Sequence, residues 1–465
     1  MLSILEQAGR HGRREFLKIG GLSLGGLSLA DLLSVNAQSA ALARAVKDRS
    51  VVFLFMHGGP SQVETFDPKM DAPTGIRSAT GEIQTSLPGV TFGSTFEKLA
   101  PLADRFSIVR SFTTGDANHD IKPIVCKDTL GANLGSLYAR IVGTNHPASG
   151  MPTNAAIFPR SVDPTTQPKQ DGFGRFESTG TVGSAYAPFT PGAGDAFQKN
   201  LELTMARDRL DDRRLLLQNL DRIRRQIDAT GGLTGLDRFR DQAFEAIVGG
   251  VADAFDLSKE DPATLARYDT APLLTPDRID PKWNNYKFYC DHNKSLGKLM
   301  LLSRRLVERG CGFVTVTTNF VWDMHADVNN APVTVGMRYC GGAFDHAVSA
   351  FIEDLESRGL GNKVLLVCCG EMGRTPRINN NGGRDHWGSL APLLIYGGGL
   401  TGGKVIGQSN RNAGEPQTDP IGLKHLIATV LGTLFDVSEL RLIPGTPSDI
   451  IRAASHEAIP GLGIA

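Results

Sequence analysis

Four continuous apolar runs, each breaking into a cluster of histidines or carboxylates, constrain this chain more than any other feature. They cover residues 51–56, 106–110, 313–318 and 364–369. A strand with one wet face alternates apolar and polar residues. These runs do not, so both of their faces are covered, as in a parallel sheet between two helical layers. Helical periodicity fills the gaps, over residues 296–309 before the third run and 344–357, stopped by Gly359, before the fourth. A fifth strand over 392–396 and a helix over 420–434 continue the alternation. The expected fold is α/β, a mostly parallel central sheet with helices on both faces.

In such sheets ligands bind beyond the carboxyl ends of the strands, where loops from several strands converge. The chemistry-bearing residues follow that rule. His57, with Glu64 and Asp67 further on, comes after the first run; His119 and Asp120 after the second; Asp323 and His325 after the third; Glu371, Arg374, Asp385 and His386 after the fourth. Imidazole and carboxylate together suit a divalent metal, Zn or Mn first, with Fe or Mg also compatible. Each piece has a plainer reading. His57 before Gly58-Gly59 could terminate a strand, and Asp323 could cap a turn beside a surface histidine. Glu371 after a buried strand needs a partner, either Arg374 or a metal. His119 and Asp120 could be ligands or a base that activates water. His146, His292, His346, His425 and His456 stand outside these loops and read as surface or core residues.

The chain begins with Gly12-Arg13-Arg14-Glu15-Phe16-Leu17-Lys18, then an apolar, glycine-rich run over 19–33 interrupted by Asp31, then Ala41-Leu42-Ala43. Basic, apolar and small-residue regions in that order predict a twin-arginine signal peptide over 1–43 and a periplasmic or extracellular protein. The run is shorter than the roughly 20 residues that span a bilayer, so cleavage is expected rather than a stable membrane anchor. The translocase and signal peptidase are then partners during export. Lys plus Arg and Asp plus Glu number 49 each, which argues against nucleic acid as a partner. Six cysteines without a CxxC do not make a disulfide scaffold; Cys368 and Cys369 read as core, while Cys126, Cys290, Cys311 and Cys340 could pair. Residues 44–465 form the α/β domain, with 150–282 as an irregular and helical insertion or cap. Within it, 150–194 reads as irregular surface structure and 195–226, with its Arg207–Arg214 charge run, as an exposed helix.

His57-Gly58-Gly59-Pro60-Ser61, Thr65-Phe66-Asp67-Pro68-Lys69, Trp322-Asp323-Met324-His325 and Glu371-Met372-Gly373-Arg374-Thr375-Pro376 through Gly383-Arg384-Asp385-His386-Trp387 resemble the bacterial family called domain of unknown function 1501. That family is similar to the alkaline phosphatase and sulfatase superfamily, whose members hold two divalent metals at the carboxyl edge of the sheet. The resemblance implies an alkaline-phosphatase-like fold and an exported hydrolase of phosphate or sulfate esters, acting on a small molecule or a polysaccharide. By position, Asp323 and His325 fall where the superfamily has an Asp and a His, Glu371 where it has an Asp, and His386 on its late His. The nucleophile would come from Ser111, Thr113 or Thr114, or from water, with Arg374 holding an anionic oxygen. The chain departs from the pattern in three places. His57 replaces an Asp, Glu371-Met372 replaces an Asp-His pair, and Cys126 lacks the Cys-x-Pro-x-Arg signature that a formylglycine sulfatase needs. A non-catalytic exported binding protein on a degenerate hydrolase scaffold is the alternative.

Overall fold

The computed structural model describes residues 41–192 and 251–463. Most of the signal segment and the 195–226 charged stretch lie outside these residues.

Seven strands form the central sheet: β1 (Ser50–Phe55), β2 (Phe106–Val109), β3 (Asn154–Ile157), β4 (Phe313–Thr317), β5 (Val364–Cys369), β6 (Leu393–Gly397) and β7 (Val405–Ile406). Their order across the sheet is β7-β2-β6-β5-β1-β4-β3. β1 lies between β5 and β4 and runs parallel to both, with Phe55 opposite Cys369 and Thr317. Alternate side chains of each strand point to opposite faces. Val52, Leu54, Val314, Val316, Leu366 and Cys368 enter one core, under helices α2 (Tyr286–Glu308) and α3 (Val333–Ser357). Val51, Phe53, Phe55, Val367 and Cys369 enter a second core, under α1 (Leu134–Val142) and α4 (Leu423–Leu434). Both faces are therefore covered, as the unalternating runs require. The α/β class and the mostly parallel sheet agree with the sequence reading.

Four features differ from that reading. β6 runs antiparallel to both β2 and β5, because the stretch between β5 and β6 contains no helix to carry the chain back to the other end of the sheet. Residues 154–157, expected in irregular surface structure, are the buried strand β3, parallel to β4. Both long helices start early, α3 by eleven residues and α2 by ten, and in α2 the first turns bury polar groups, which hide the helical periodicity. His292 is among them, with Nδ1 2.8 Å from Thr318 Oγ1 and Nε2 3.1 Å from the Cys340 carbonyl oxygen. The four cysteines left open for pairing are free thiols, as are Cys368 and Cys369. No described helix is long and apolar enough to cross a membrane.

Candidate metal centre

The turn His57-Gly58-Gly59 after β1 is the floor of the site. Gly58 has φ +112°, and a Cβ there would lie 2.7 Å from the Asp323 backbone nitrogen. Glycine is required on both counts. The close approach lets Gly58 N donate to the Glu371 carboxylate at 2.9 and 3.2 Å. It also lets the Gly58 and Gly59 carbonyls accept from Arg374. The ends of β1 and β5 are thereby tied together by main-chain hydrogen bonds to two buried charges.

Above this floor, His119, Asp323, His325 and His386 bring one ligand atom each to within 4.8 Å of one another, the one such group among the described residues. Asp323 Oδ1 is the hub: His325 Nε2 lies at 2.8 Å, and His119 Nε2 and His386 Nε2 at 3.4 Å. The Nε2 atoms of His325 and His386 are 2.7 Å apart. Ligand bonds of about 2.0–2.2 Å place the donors around a tetrahedral ion roughly 3.3 Å from one another, and the observed spacings bracket that value.

Neighbouring carboxylates that accept at Nδ1 favour one tautomer for two of the rings. His119 Nδ1 faces Glu371 Oε1 at 2.9 Å. It donates there, leaving Nε2 a buried lone pair without a hydrogen-bond partner. His325 Nδ1 faces Asp385 Oδ1 at 3.4 Å, and its Nε2 accepts from Arg374 Nη1 at 3.4 Å. In their neutral tautomers His119 and His325 then turn Nε2 toward Asp323 Oδ1, a contact that needs either a proton or a cation between the two atoms. Three carboxylates (Asp323, Glu371, Asp385) against the single guanidinium of Arg374 leave two negative charges, which a divalent ion balances. The residues fit a metal.

Burial would raise the Asp323 pKa, but Arg374, with Nη2 at 2.5 Å, and the three histidines outweigh it and hold the carboxyl far below the usual range. Burial would lower the His119 pKa, yet Asp323 and Glu371 raise it. His386 stays below its ordinary value: the hydrogen bond to Asp323 raises it, and burial with the Arg374 and His119 charges more than offsets this. Metal must displace the His119 proton, so affinity is expected to weaken as pH falls through that raised pKa, about tenfold per pH unit for one proton. The loss starts above the ordinary histidine value because the shift is upward. In the metal-free protein the sign reverses, and protonated His119 adds stability that is lost as pH rises through the same pKa. Chelator competition from pH 8 to 5.5 checks this; a flat profile would show that His119 is not a ligand.

The structure sorts the other expected site residues. Glu371 is fully buried and is partnered by His119 and Gly58, not by Arg374, so it holds the His119 ring rather than joining the group. Asp385, 57% exposed, does the same for His325 and accepts from Asn379 Nδ2 at 3.0 Å. His57 stands outside the group. Its carbonyl accepts from Val321 and Trp322, and its buried ring, held neutral by desolvation, packs against Phe320 at 5.0 Å. Asp120 is turned to Lys122, whose Nζ is 3.1 Å from Oδ2. Glu64 is spent on Arg384 and Asp67 on Ser409, Lys69 and Arg110.

Arg374 is 1% exposed and donates to Gly58, Gly59 and Arg384 carbonyls and to Asp323, which corrects the expectation that it holds a substrate oxygen. Ser111 is fully buried. Thr113 and Thr114 donate to the Gly388 and Asp116 carbonyls at 3.1 and 3.4 Å. None of these three hydroxyls belongs to the group. Sequence reasoning missed Asn330, whose Nδ2 donates to Asp323 Oδ2 at 3.0 Å. It also missed the stacked pair Phe173 and Phe320, which flanks His119 with ring centres 5.1 and 4.7 Å away.

A family model described as "Protein of unknown function (DUF1501)" matches residues 48–441. No curated protein matches the chain. Similar solved structures include the lipoteichoic acid synthase LtaP from Listeria monocytogenes, at 9% identity over 90% of this chain and 81% of that one, TM-score 0.33. The PsFucS1 sulfatase from Pseudoalteromonas sp. has 12% identity over 86% and 70%, TM-score 0.31. An alkaline phosphatase from the Antarctic bacterium TAB5 has 11% identity over 83% and 98%, TM-score 0.30. Scores this low add no weight, and the fold class rests on the seven-stranded sheet itself.

Proposed function

The chain belongs to the DUF1501 family, and from that premise we propose that it is an exported, metal-dependent hydrolase of phosphate or sulfate esters. The observation that carries the reading is the set of three imidazole nitrogens converging on Asp323 Oδ1, two of the rings backed by a second carboxylate. When bound, a divalent ion supplies Lewis acidity at an ester oxygen and lowers the pKa of water. Zn and Mn lead on donor chemistry, with Fe or Mg also compatible.

The chain's own residues do the rest. Glu371 and Asp385 hold His119 and His325 in one tautomer. Arg374 keeps Asp323 ionised. His325 and His386 are the open side of the group, with side chains 22% and 31% exposed, and Phe173 with Phe320 walls the other side. Because Ser111 is buried and Thr113 and Thr114 bond to backbone carbonyls, the nucleophile in this reading is water. Its oxygen bonds to phosphorus or sulfur. The ester bond breaks with its electron pair on the ester oxygen, which takes a proton and leaves as the alcohol. Both arginines of the last motif, Arg374 and Arg384, are buried and bonded within the chain, so neutralising charge on the anionic group is what a bound ion would supply. The substrate is a small molecule or a polysaccharide ester, met outside the cytoplasm after twin-arginine export and signal cleavage.

One observation favours the alternative of a non-catalytic protein: four side chains saturate a tetrahedral ion, as in structural sites. The test is elemental mass spectrometry on natively exported protein beside a His325→Ala, Glu371→Ala double variant. Stoichiometric metal in the wild type and none in the variant establishes the metal centre, and turnover in a screen of phosphate and sulfate esters then separates the hydrolase from a saturated structural site. No metal, with the variant equally well folded, sinks it.

A further inference from the structure

We propose that the centre holds one ion per chain rather than two, because Asn330 pins Asp323 as a one-oxygen ligand. This rests on the metal-dependent reading above and departs from the two-ion arrangement that the superfamily resemblance implies. A pair of ions needs a bridging carboxylate or a second set of free carboxylates. Asp323 is the one carboxylate in the group, and its oxygens are divided. Oδ1 faces the histidines and Arg374. Oδ2 accepts from Asn330 Nδ2 at 3.0 Å.

Asn330 is itself fixed. It is 1% exposed, its Oδ1 accepts from Asn285 Nδ2 at 2.8 Å, and its backbone nitrogen donates to Asp327 Oδ1 at 2.8 Å. Asn285 is the residue that precedes α2, so the Oδ2 side of Asp323 is braced by the start of a 23-residue helix. Turning Oδ2 toward a second ion would break the Asn330 hydrogen bond and leave a buried amide unpaired.

The remaining carboxylates at the strand ends offer no second set. Both Glu371 oxygens accept from Gly58 N, and Oε1 also faces His119. Glu64, Asp67 and Asp120 are each in an ion pair with a basic side chain. Asp385 remains, half-exposed, but its Oδ1 is committed to His325 Nδ1 and Asn379 Nδ2, and a single carboxylate does not hold an ion. Asn330 is therefore a positioning residue: it sets the denticity of Asp323 and through it the stoichiometry of the site.

Two measurements on the full-length protein decide this. Elemental mass spectrometry of native protein, with the concentration taken from amino-acid analysis, is expected to give one ion per chain. Two ions would overturn the single-ion inference while leaving the metal-dependent reading intact; none would overturn both. In Asn330→Ala the Zn affinity, read by competition with a chromogenic chelator, is expected to fall 10- to 100-fold, the range for lost outer partners of a ligand. Asn285→Ala, which removes only the brace on Asn330, is expected to lose less. The thermal midpoint of the chelator-treated variants and the absorbance of their Co-substituted forms separate positioning from folding. Unchanged affinity in Asn330→Ala, with its apo midpoint preserved, would overturn the role of Asn330.

Discussion

Asp323→Ala is expected to abolish metal binding and to cost about 3–5 kcal/mol of stability, the loss typical of removing one partner from a buried ion pair. Arg374 explains the size of the effect. It is as buried as any residue of the core, and Asp323 is its carboxylate partner. Without that carboxylate a desolvated guanidinium keeps only carbonyl oxygens and the neutral His325 ring for company. Asn330 Nδ2 also loses its acceptor. Asp323→Asn separates the two consequences. The amide oxygen still accepts from Asn330 or Arg374, so part of the stability returns, but the charge that draws an ion among three imidazoles is gone. Urea unfolding of both variants, with and without chelator, together with their metal content, checks the expectation. An alanine variant that loses less than 1 kcal/mol, or that retains stoichiometric metal, would refute the account of Asp323 as hub.

His119, Asp323, His325 and His386 were legible as members of a larger set, with His57, Asp120, Glu371 and Asp385, because the carboxyl ends of parallel strands are where loops meet, whatever the loops contain. The roles within the set were not legible. Spacing places Glu371 and Asp385 beside the histidines equally well as ligands or as their orienting partners, and only the positions of Gly58 N and the ring nitrogens decide it. Arg374 was misread for a related reason: a motif arginine at a strand end says nothing of depth, and this one lies beneath the ligands rather than over them. Asn330 carried no signal, sitting in a polar stretch with Asp327 and Asn329 whose residue types suit any turn. In the fold, β3 escaped notice because Asn154-Ala155-Ala156-Ile157 is short and weakly hydrophobic between Gly- and Pro-rich flanks. The direction of β6 is not written in its composition at all; it follows from the length and lack of helix of the segment before it.

The second large effect is expected at the buried pair Glu64 and Arg384, both fully sealed from solvent. Arg384 Nε and Nη2 donate to Glu64 Oε1 at 2.9 and 2.7 Å, while Nη2 also reaches the Ile76 and Arg77 carbonyls at 3.0 and 3.1 Å. Glu64 further accepts from Ala79 N at 3.1 Å and Ser78 Oγ at 2.8 Å. The pair joins the loop after β1 to the segment that carries Asp385 and His386, so it fixes one ligand and the partner of another. Glu64→Gln alone leaves Arg384 charged and uncompensated, and a loss of about 3–5 kcal/mol is expected, with weaker metal binding as His386 loosens. Adding Arg384→Met to Glu64→Gln is expected to recover most of the stability, since replacing both members of a buried ion pair is often nearly neutral. The glutamine amide oxygen can still accept from Ala79 N. Metal affinity is not expected to recover with it, because the guanidinium's hydrogen bonds to the Ile76, Arg77 and Thr375 carbonyls, which hold the segment of residues 384–386 in place, stay lost. A double-mutant cycle on unfolding free energy and on chelator competition reads the two quantities separately. If affinity returned in step with stability, the pair would be a fold element alone and the placement of His386 would have to come from elsewhere.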